Sequence, residues 1–427
     1  MKSIMKFLER YFIPIAGRVG SQRHLVAIRD GFVALMPILI AGSFAVLINN
    51  LPIDAYQNAM FSVFGENWKS FGGNIWWGDF AVISLYLVFS ISYNLAKSYD
   101  VDGLSAGMIA LGAFFILVPQ VSPTGGWGDI SWSFLNSGAM FVAILVAIIS
   151  TEIFVKLFKV KHLVIRMPEG VPPAVARSFA SLFPGLIVLA FFAIASILIS
   201  KIPDGNLFVF INRVVAMPLR DAADTLWSAI GIVFMNQILW FFGLHGSNII
   251  GGIVEPILLP MIEANAAAFQ AGLEPTHIVT KVMLDTFVYM GGAGATLGLL
   301  FATMIMAKRA EHREIAKLGI GPGLFNINEP IIYGLPVVLN PFLLIPFVLG
   351  PILMVISTYF AMKLGICPKT VAIVPWTFPP IIGAAVATAS IKGGIVAAFN
   401  LVIATVVYLP FMTALDRSKT LHSGESK

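Results

Sequence analysis

The chain has 427 residues, of which 58% are hydrophobic and only 11% charged. Soluble domains carry roughly a quarter charged residues, so a soluble globular fold is excluded and an all-α polytopic membrane protein is expected. The net charge of +5 is small and spread over separate segments, which argues against nucleic-acid binding, and one cysteine, Cys367, excludes an internal disulfide or a multi-cysteine metal site.

From the N-terminus, "MKSIMKFLERYFIPIAGRV" mixes cations with apolar residues at helical spacing and predicts a helix lying in the membrane interface. The first long apolar run is too long for a signal h-region, so no cleaved signal is expected. Runs of crossing length follow at about 31–50, 79–97, 103–119, 135–155 and 183–200. The loop at 51–78 and "QVSPTGGWGDISWS" are Trp-rich and poor in Lys and Arg, hence external; the N-terminus and "KLFKVKHLVIR" are basic, hence cytoplasmic. Residues 1–200 therefore read as a transmembrane scaffold half.

The segment 201–226, containing "IPDGNLFVFINRVVAMPLRDAADTL", predicts an interfacial amphipathic linker. In the second half, 227–415, apolar runs lie at about 227–243, 247–267, 287–307, 342–362 and 391–413, which brings the expected crossings to ten. The run at 247–267 is interrupted by Glu255, Pro256, Pro260 and Glu263. With ten crossings, basic "AKRAEHREIAK" and the tail at 416–427 are cytoplasmic. Three stretches are apolar but broken by Gly and Pro: "GLHGSNIIGGIVEPILLP", "GPGLFNINEPIIYGLPVVLNP" and "VAIVPWTFPPIIGAAVATA". Such backbone is tolerated at membrane depth only where protein or a watery cavity satisfies it, so these are candidate re-entrant hairpins.

The polar groups inside these stretches carry the chemistry. Asn326, Asn328 and Glu329 stand together beside helix-breaking Pro330. At membrane depth they are either a structural break or the lining of a polar cavity, where carboxylate and amides bond a ligand's hydroxyls. His245 sits among Gly243, Gly246, Ser247 and Asn248. It is a packing residue or a hydrogen-bond donor to a hydroxyl; metal ligation is disfavoured because no further ligand is near. Trp376, between Pro375 and Pro379, is a belt residue or a platform for the apolar face of a pyranose. "MGGAGATLG" permits close backbone approach but lacks the Lys of a phosphate-binding loop.

With "GLHGSN", "GGAGATL" and "NINEPIIYGLP" in that order, the chain resembles the membrane component (enzyme IIC) of a sugar phosphotransferase system, in the lactose/cellobiose/diacetylchitobiose family. The resemblance runs over essentially the whole chain. It implies ten spans, a homodimer formed largely through the first five, and a sugar-binding half with re-entrant hairpins. It also implies sugar contacts from His245 and Glu329, to which the residue reading adds Asn248, Asn326, Asn328 and Trp376. No bound cofactor is expected. Phosphate would come from a phosphorylated cytosolic B protein, itself charged by an A protein, and both would be separate chains docking near 308–317. Glu329 would orient or activate the sugar's 6-hydroxyl. An ion-coupled secondary transporter also uses broken helices and midplane carboxylates and remains the rival from the residues alone.

Overall fold

The computed structural model describes residues 13–423 except Pro52, 121–128, 202–205 and Pro336. The expected N-terminal interfacial helix is therefore seen only from Ile13, and most of "QVSPTGGWGDISWS" lies outside the described residues. The described chain is helical throughout its regular elements, with no strand.

The first half begins with α1 (Ile13–Gly20) and the long α2 (Arg23–Asn50), whose start is capped by the Gln22 side chain accepting from the Leu25 N–H at 2.8 Å. Two helices, α3 (Asp54–Phe64) and α4 (Ser70–Asp79), occupy the loop expected to be external, and α3 buries none of its residues. A bundle follows from α5 (Ile83–Lys97), α6 (Gly103–Leu117) and α7 (Met140–Phe158). Small residues bring these helices close. A Cβ on Gly31 would lie 2.5 Å from the Ile91 side chain, and one on Gly107 would lie 2.7 Å from Phe89. After the short α8 (Pro173–Ala180), α9 (Leu182–Ile199) is apolar on every side and mostly unburied within the chain, which leaves it facing lipid or another subunit.

The linker is a helical stretch, α10 (Leu207–Ala223), containing a π-helical turn at Asn212–Ala216. It meets α11 (Leu226–Phe241) at a 79° bend. The next element departs from the broken segment expected at 243–260: α12 (Gly246–Gln270) is continuous through Pro256 and Pro260. Both prolines are buried, and packing carries the helix across the missing N–H groups. It lies against α2 so closely that a Cβ on Gly252 would come within 2.5 Å of the Leu25 carbonyl oxygen.

The remaining helices are α13 (Lys281–Phe287), α14 (Thr296–Met306), α15 (Ala310–Leu324), α16 (Glu329–Gly334), α17 (Pro341–Lys363), α18 (Pro380–Ala387) and α19 (Ile391–Ser423). The run expected at 287–307 is regular helix over little more than its second half. Gly291, Gly292, Gly294 and Ala295 all take positive φ, which no α-helix continues through. The stretches 321–341 and 371–389 are broken as read, each by one short helix between irregular segments. Among the described residues seven helices are long and apolar enough to cross a membrane, or eight with the bent pair α10–α11, and two shorter apolar helices lie at Gly103–Leu117 and Ala293–Met306.

Buried apolar side chains form three clusters. One is built mainly from α2, α5, α6 and α7, with Leu259, Ile262, Val282 and Ile373 reaching in from the second half; two others lie wholly beyond residue 222. Between the first cluster and the others, where α2 meets α12, a cavity opens whose largely apolar lining carries several polar and charged side chains.

Candidate functional site

His245 is the N-cap of α12, reached through Gly243 at φ +78°. Its Nδ1 accepts from the Asn248 N–H at 3.3 Å, so the neutral ring carries its proton on Nε2, which has no partner among the described residues. The Trp240 ring packs 4.4 Å from the imidazole and limits its rotation. Gly246 is required at the turn, because a Cβ there would fall 2.4 Å from the Asn236 carbonyl oxygen. Ser247 donates to Asn236 Oδ1 at 3.2 Å.

The segment after α15 supplies the opposite wall. Asn326 adopts φ +60° and spends its whole amide on backbone: Oδ1 accepts from Gly291 N–H at 2.8 Å, and Nδ2 donates to the carbonyls of Trp376 at 2.6 Å and Phe378 at 3.2 Å. Asn328 is buried and donates to the Ala293 carbonyl at 3.3 Å. The glycine-rich run makes this possible, since a Cβ on Gly292 (φ +93°) would sit 2.7 Å from Asn328 Cγ. Gln237 and Tyr408 fasten the same loop through the N–H and carbonyl of Gly294, both at 2.7 Å. Glu329, the first residue of α16, is exposed, and its carboxylate accepts no hydrogen bond from any described residue. Trp376 is 52% exposed, its backbone held by Asn326.

All six residues singled out from the sequence line one cavity of about 330 Å³: His245, Asn248, Asn326, Asn328, Glu329 and Trp376. The structure divides them by what remains unspent. The Asn326 amide is saturated by backbone, and its geometry is that of a staple under Trp376 rather than of a group facing solute. The Glu329 carboxylate, the His245 Nε2–H and the Trp376 ring have free capacity.

Four charged residues in the lining were not part of the sequence reading of the site: Arg29, Glu255, Lys281 and Asp285. Lys281 Nζ donates to both Asp285 oxygens, at 2.7 and 2.6 Å. Arg29 pairs with Asp30 at 2.6 Å and reaches the Asn248 carbonyl at 3.4 Å, so the α2 scaffold helix supplies a wall of the cavity. The signal for the Lys–Asp pair was present: an i,i+4 ion pair within an apolar helix of seven residues is expensive at membrane depth and marks a cavity.

A cavity holding a free carboxylate, an imidazole donor and an indole face has the chemistry to bond hydroxyls and stack on an apolar ring face. Comparison with known proteins bears on which system it serves. The family described as phosphotransferase system, EIIC, matches residues 29–351. The chain belongs to that family. This EIIC protein is 40% identical to the lichenan permease IIC component of Bacillus subtilis (strain 168) over 430 residues, 98% of this chain and 95% of that one. It is 39% identical to the cellobiose-specific EIIC component of Geobacillus stearothermophilus over 432 residues, 98% and 96% of the two chains. The crystal structure of the transporter ChbC, the IIC component from the N,N'-diacetylchitobiose-specific phosphotransferase system, superposes with a TM-score of 0.93 at 38% identity, covering 98% of this chain and 99% of that one. The EIIC protein is thus an integral protein of a bacterial membrane with the ChbC transporter fold.

Proposed function

We propose that this EIIC protein is the sugar-specific permease of a phosphoenolpyruvate-dependent phosphotransferase system, moving a β-linked disaccharide of the diacetylchitobiose or cellobiose type and presenting its 6-hydroxyl to a separate phosphorylated B protein. The observation that carries the reading is one cavity holding an unbonded Glu329 carboxylate, a His245 Nε2–H donor and an exposed Trp376 face. Relatives whose names specify cellobiose and diacetylchitobiose support the substrate class.

In this reading Trp376 stacks on a pyranose face, His245 donates to a hydroxyl, and Glu329 accepts from the 6-hydroxyl. Asn248 and Asn328 complete the polar lining. Asn326 contributes by holding Trp376 in place. In the family the sequence resembles, the B protein carries its phosphate on a cysteine. The sugar oxygen attacks that phosphorus: an O–P bond forms, the P–S bond breaks, the thiolate leaves, and the hydroxyl proton passes to Glu329 or water. The phosphorylated sugar is repelled by the carboxylate, which favours release. The protein binds no cofactor of its own.

Residues 1–200 act as a dimeric scaffold and 227–415 as the moving sugar-binding half, joined by the linker. Both termini and residues 308–317 face the cytoplasm, where this segment, with its Lys308–Arg309 pair just before α15, meets the anionic B protein. An ion-coupled transporter is the second reading, and the charged group of Glu255, Lys281 and Asp285 in the cavity is what favours it. Uptake into vesicles decides: cellobiose, diacetylchitobiose and lactose are offered with and without purified A and B proteins. Phosphorylated product dependent on both proteins is expected. Accumulation of unmodified sugar without them would establish the ion-coupled reading.

A further inference from the structure

No described residue of the linker lines the cavity, yet the linker grips the segment that builds one of its walls. Asp224, the residue that ends α10, carries three hydrogen-bonding contacts to the turn before α13. Its Oδ1 accepts from the N–H groups of Ile278 at 3.0 Å and Val279 at 2.8 Å, and its Oδ2 lies 3.0 Å from His277 Nδ1. Asn265 of α12, fully buried, holds the same turn from its other side. It accepts from the N–H groups of Thr276 and His277 at 3.1 and 2.9 Å and donates to the carbonyls of His277 and Thr370 at 2.7 and 3.0 Å. Thr280 then caps α13, accepting from the Met283 N–H, while its hydroxyl meets that of Thr370 at 2.7 Å. The next residue is Lys281, paired with Asp285 in the cavity lining.

The distance along the chain from this staple to the charges is short and stiff. Val279 and Thr280 are fully buried, and α13 is only seven residues long, so its direction is set by how its first turn is held. A charged acceptor bonded to two successive N–H groups is a strong constraint. Groups that bind a solute work only when a surrounding layer fixes them to within a fraction of an ångström.

We propose that Asp224 is a positioning residue for the sugar site: it fixes the start of α13 and so places Lys281 and Asp285 in the cavity, tying the linker to substrate affinity. The proposal rests on the reading of the cavity as the sugar site. No covalent step is involved, and Asp224 touches no substrate.

The test is a cycle on the purified full chain, with binding of cellobiose and of N,N'-diacetylchitobiose read by tryptophan fluorescence. Asp224→Ala and Asp224→Asn are each made in the parent and in a Lys281→Met/Asp285→Asn background. Asp224→Ala in the parent is expected to weaken binding roughly tenfold, the loss that follows from a missing charged hydrogen bond. In the background, where the positioned groups are gone, the same change is expected to alter affinity less than twofold. Asp224→Asn keeps a carbonyl for the two N–H groups and should fall between, which preserves the comparison if the alanine variant folds poorly. Equal fold losses in both backgrounds, or no loss in the parent, overturn the positioning role; the first result would mark general destabilisation. A parent that binds neither sugar removes the functional reading itself, a result visible before any variant is compared.

Discussion

Glu329 differs from its neighbours Asn326 and Asn328 in that its side chain makes no hydrogen bond to any described residue, and this makes it the sharpest place to test the chemistry. Glu329→Gln keeps the size of the side chain but removes the charge that makes it a strong acceptor. Phosphorylation by the A and B proteins is expected to fall well beyond the loss in sugar binding, measured on the same preparations, because the interaction strengthens as the 6-hydroxyl oxygen attacks. Equal losses would restrict Glu329 to holding sugar, and parental values in both assays would return it to a structural break. For Trp376, replacement by Ala should weaken binding more than replacement by Phe, since Phe restores part of the flat apolar face. Asn326→Ala is expected to act differently from both. It strands the buried Gly291 N–H and frees the backbone of Trp376 and Phe378, so it should lower thermal stability by about 1–3 kcal/mol for the unsatisfied group as well as weaken binding. An unaltered melting temperature would refute the staple.

Among the helices, contact between α2 and α12 decides how the two halves of the cavity meet. Gly252 lets the α12 backbone come against the Leu25 carbonyl, and backbone on one side cannot yield as a flexible side chain would. Gly252→Ala is expected to cost about 1–3 kcal/mol of stability through overpacking. Gly231→Ala in α11, which meets open space, serves as the control and should be neutral or slightly stabilising. Comparable melting temperatures for the two variants would mean that the approach of α2 and α12 is not tight in the membrane. Helical periodicity and composition located α2, α7, α17 and α19 well, because lipid-facing helices advertise themselves by apolar length alone. The same criterion misread 243–260 as broken, since proline content was weighed without the packing that carries α12 through Pro256 and Pro260. It also overextended the run at 287–307, where an apolar, glycine-rich stretch looks like helix but folds through consecutive positive φ angles.

For the protein in its bilayer, orientation follows from where Lys and Arg cluster. On a Cys367→Ser background, a cysteine at Lys317, on the exposed face of α15, should resist a membrane-impermeant maleimide added from outside. One at Asn58, in the fully unburied α3, should react. The reverse pattern would invert the topology and move 308–317 away from any cytosolic partner.

Membrane residence, helical class and the three cavity residues that keep free bonding or stacking capacity were legible in the sequence. They depend on apolar length and on short motifs around His245, Glu329 and Trp376, which are local properties. Arg29, Glu255, Lys281 and Asp285 were not recognised as neighbours of those groups, because they come from three different helices and meet only where α2, α12 and α13 surround one space. Nor was the role of Asn326 legible. A list of polar residues near a proline cannot distinguish an amide that faces a cavity from one consumed by backbone 35, 50 and 52 residues away. That distinction is made by hydrogen-bond saturation, and saturation exists only once the segments that share the bonds have been brought together.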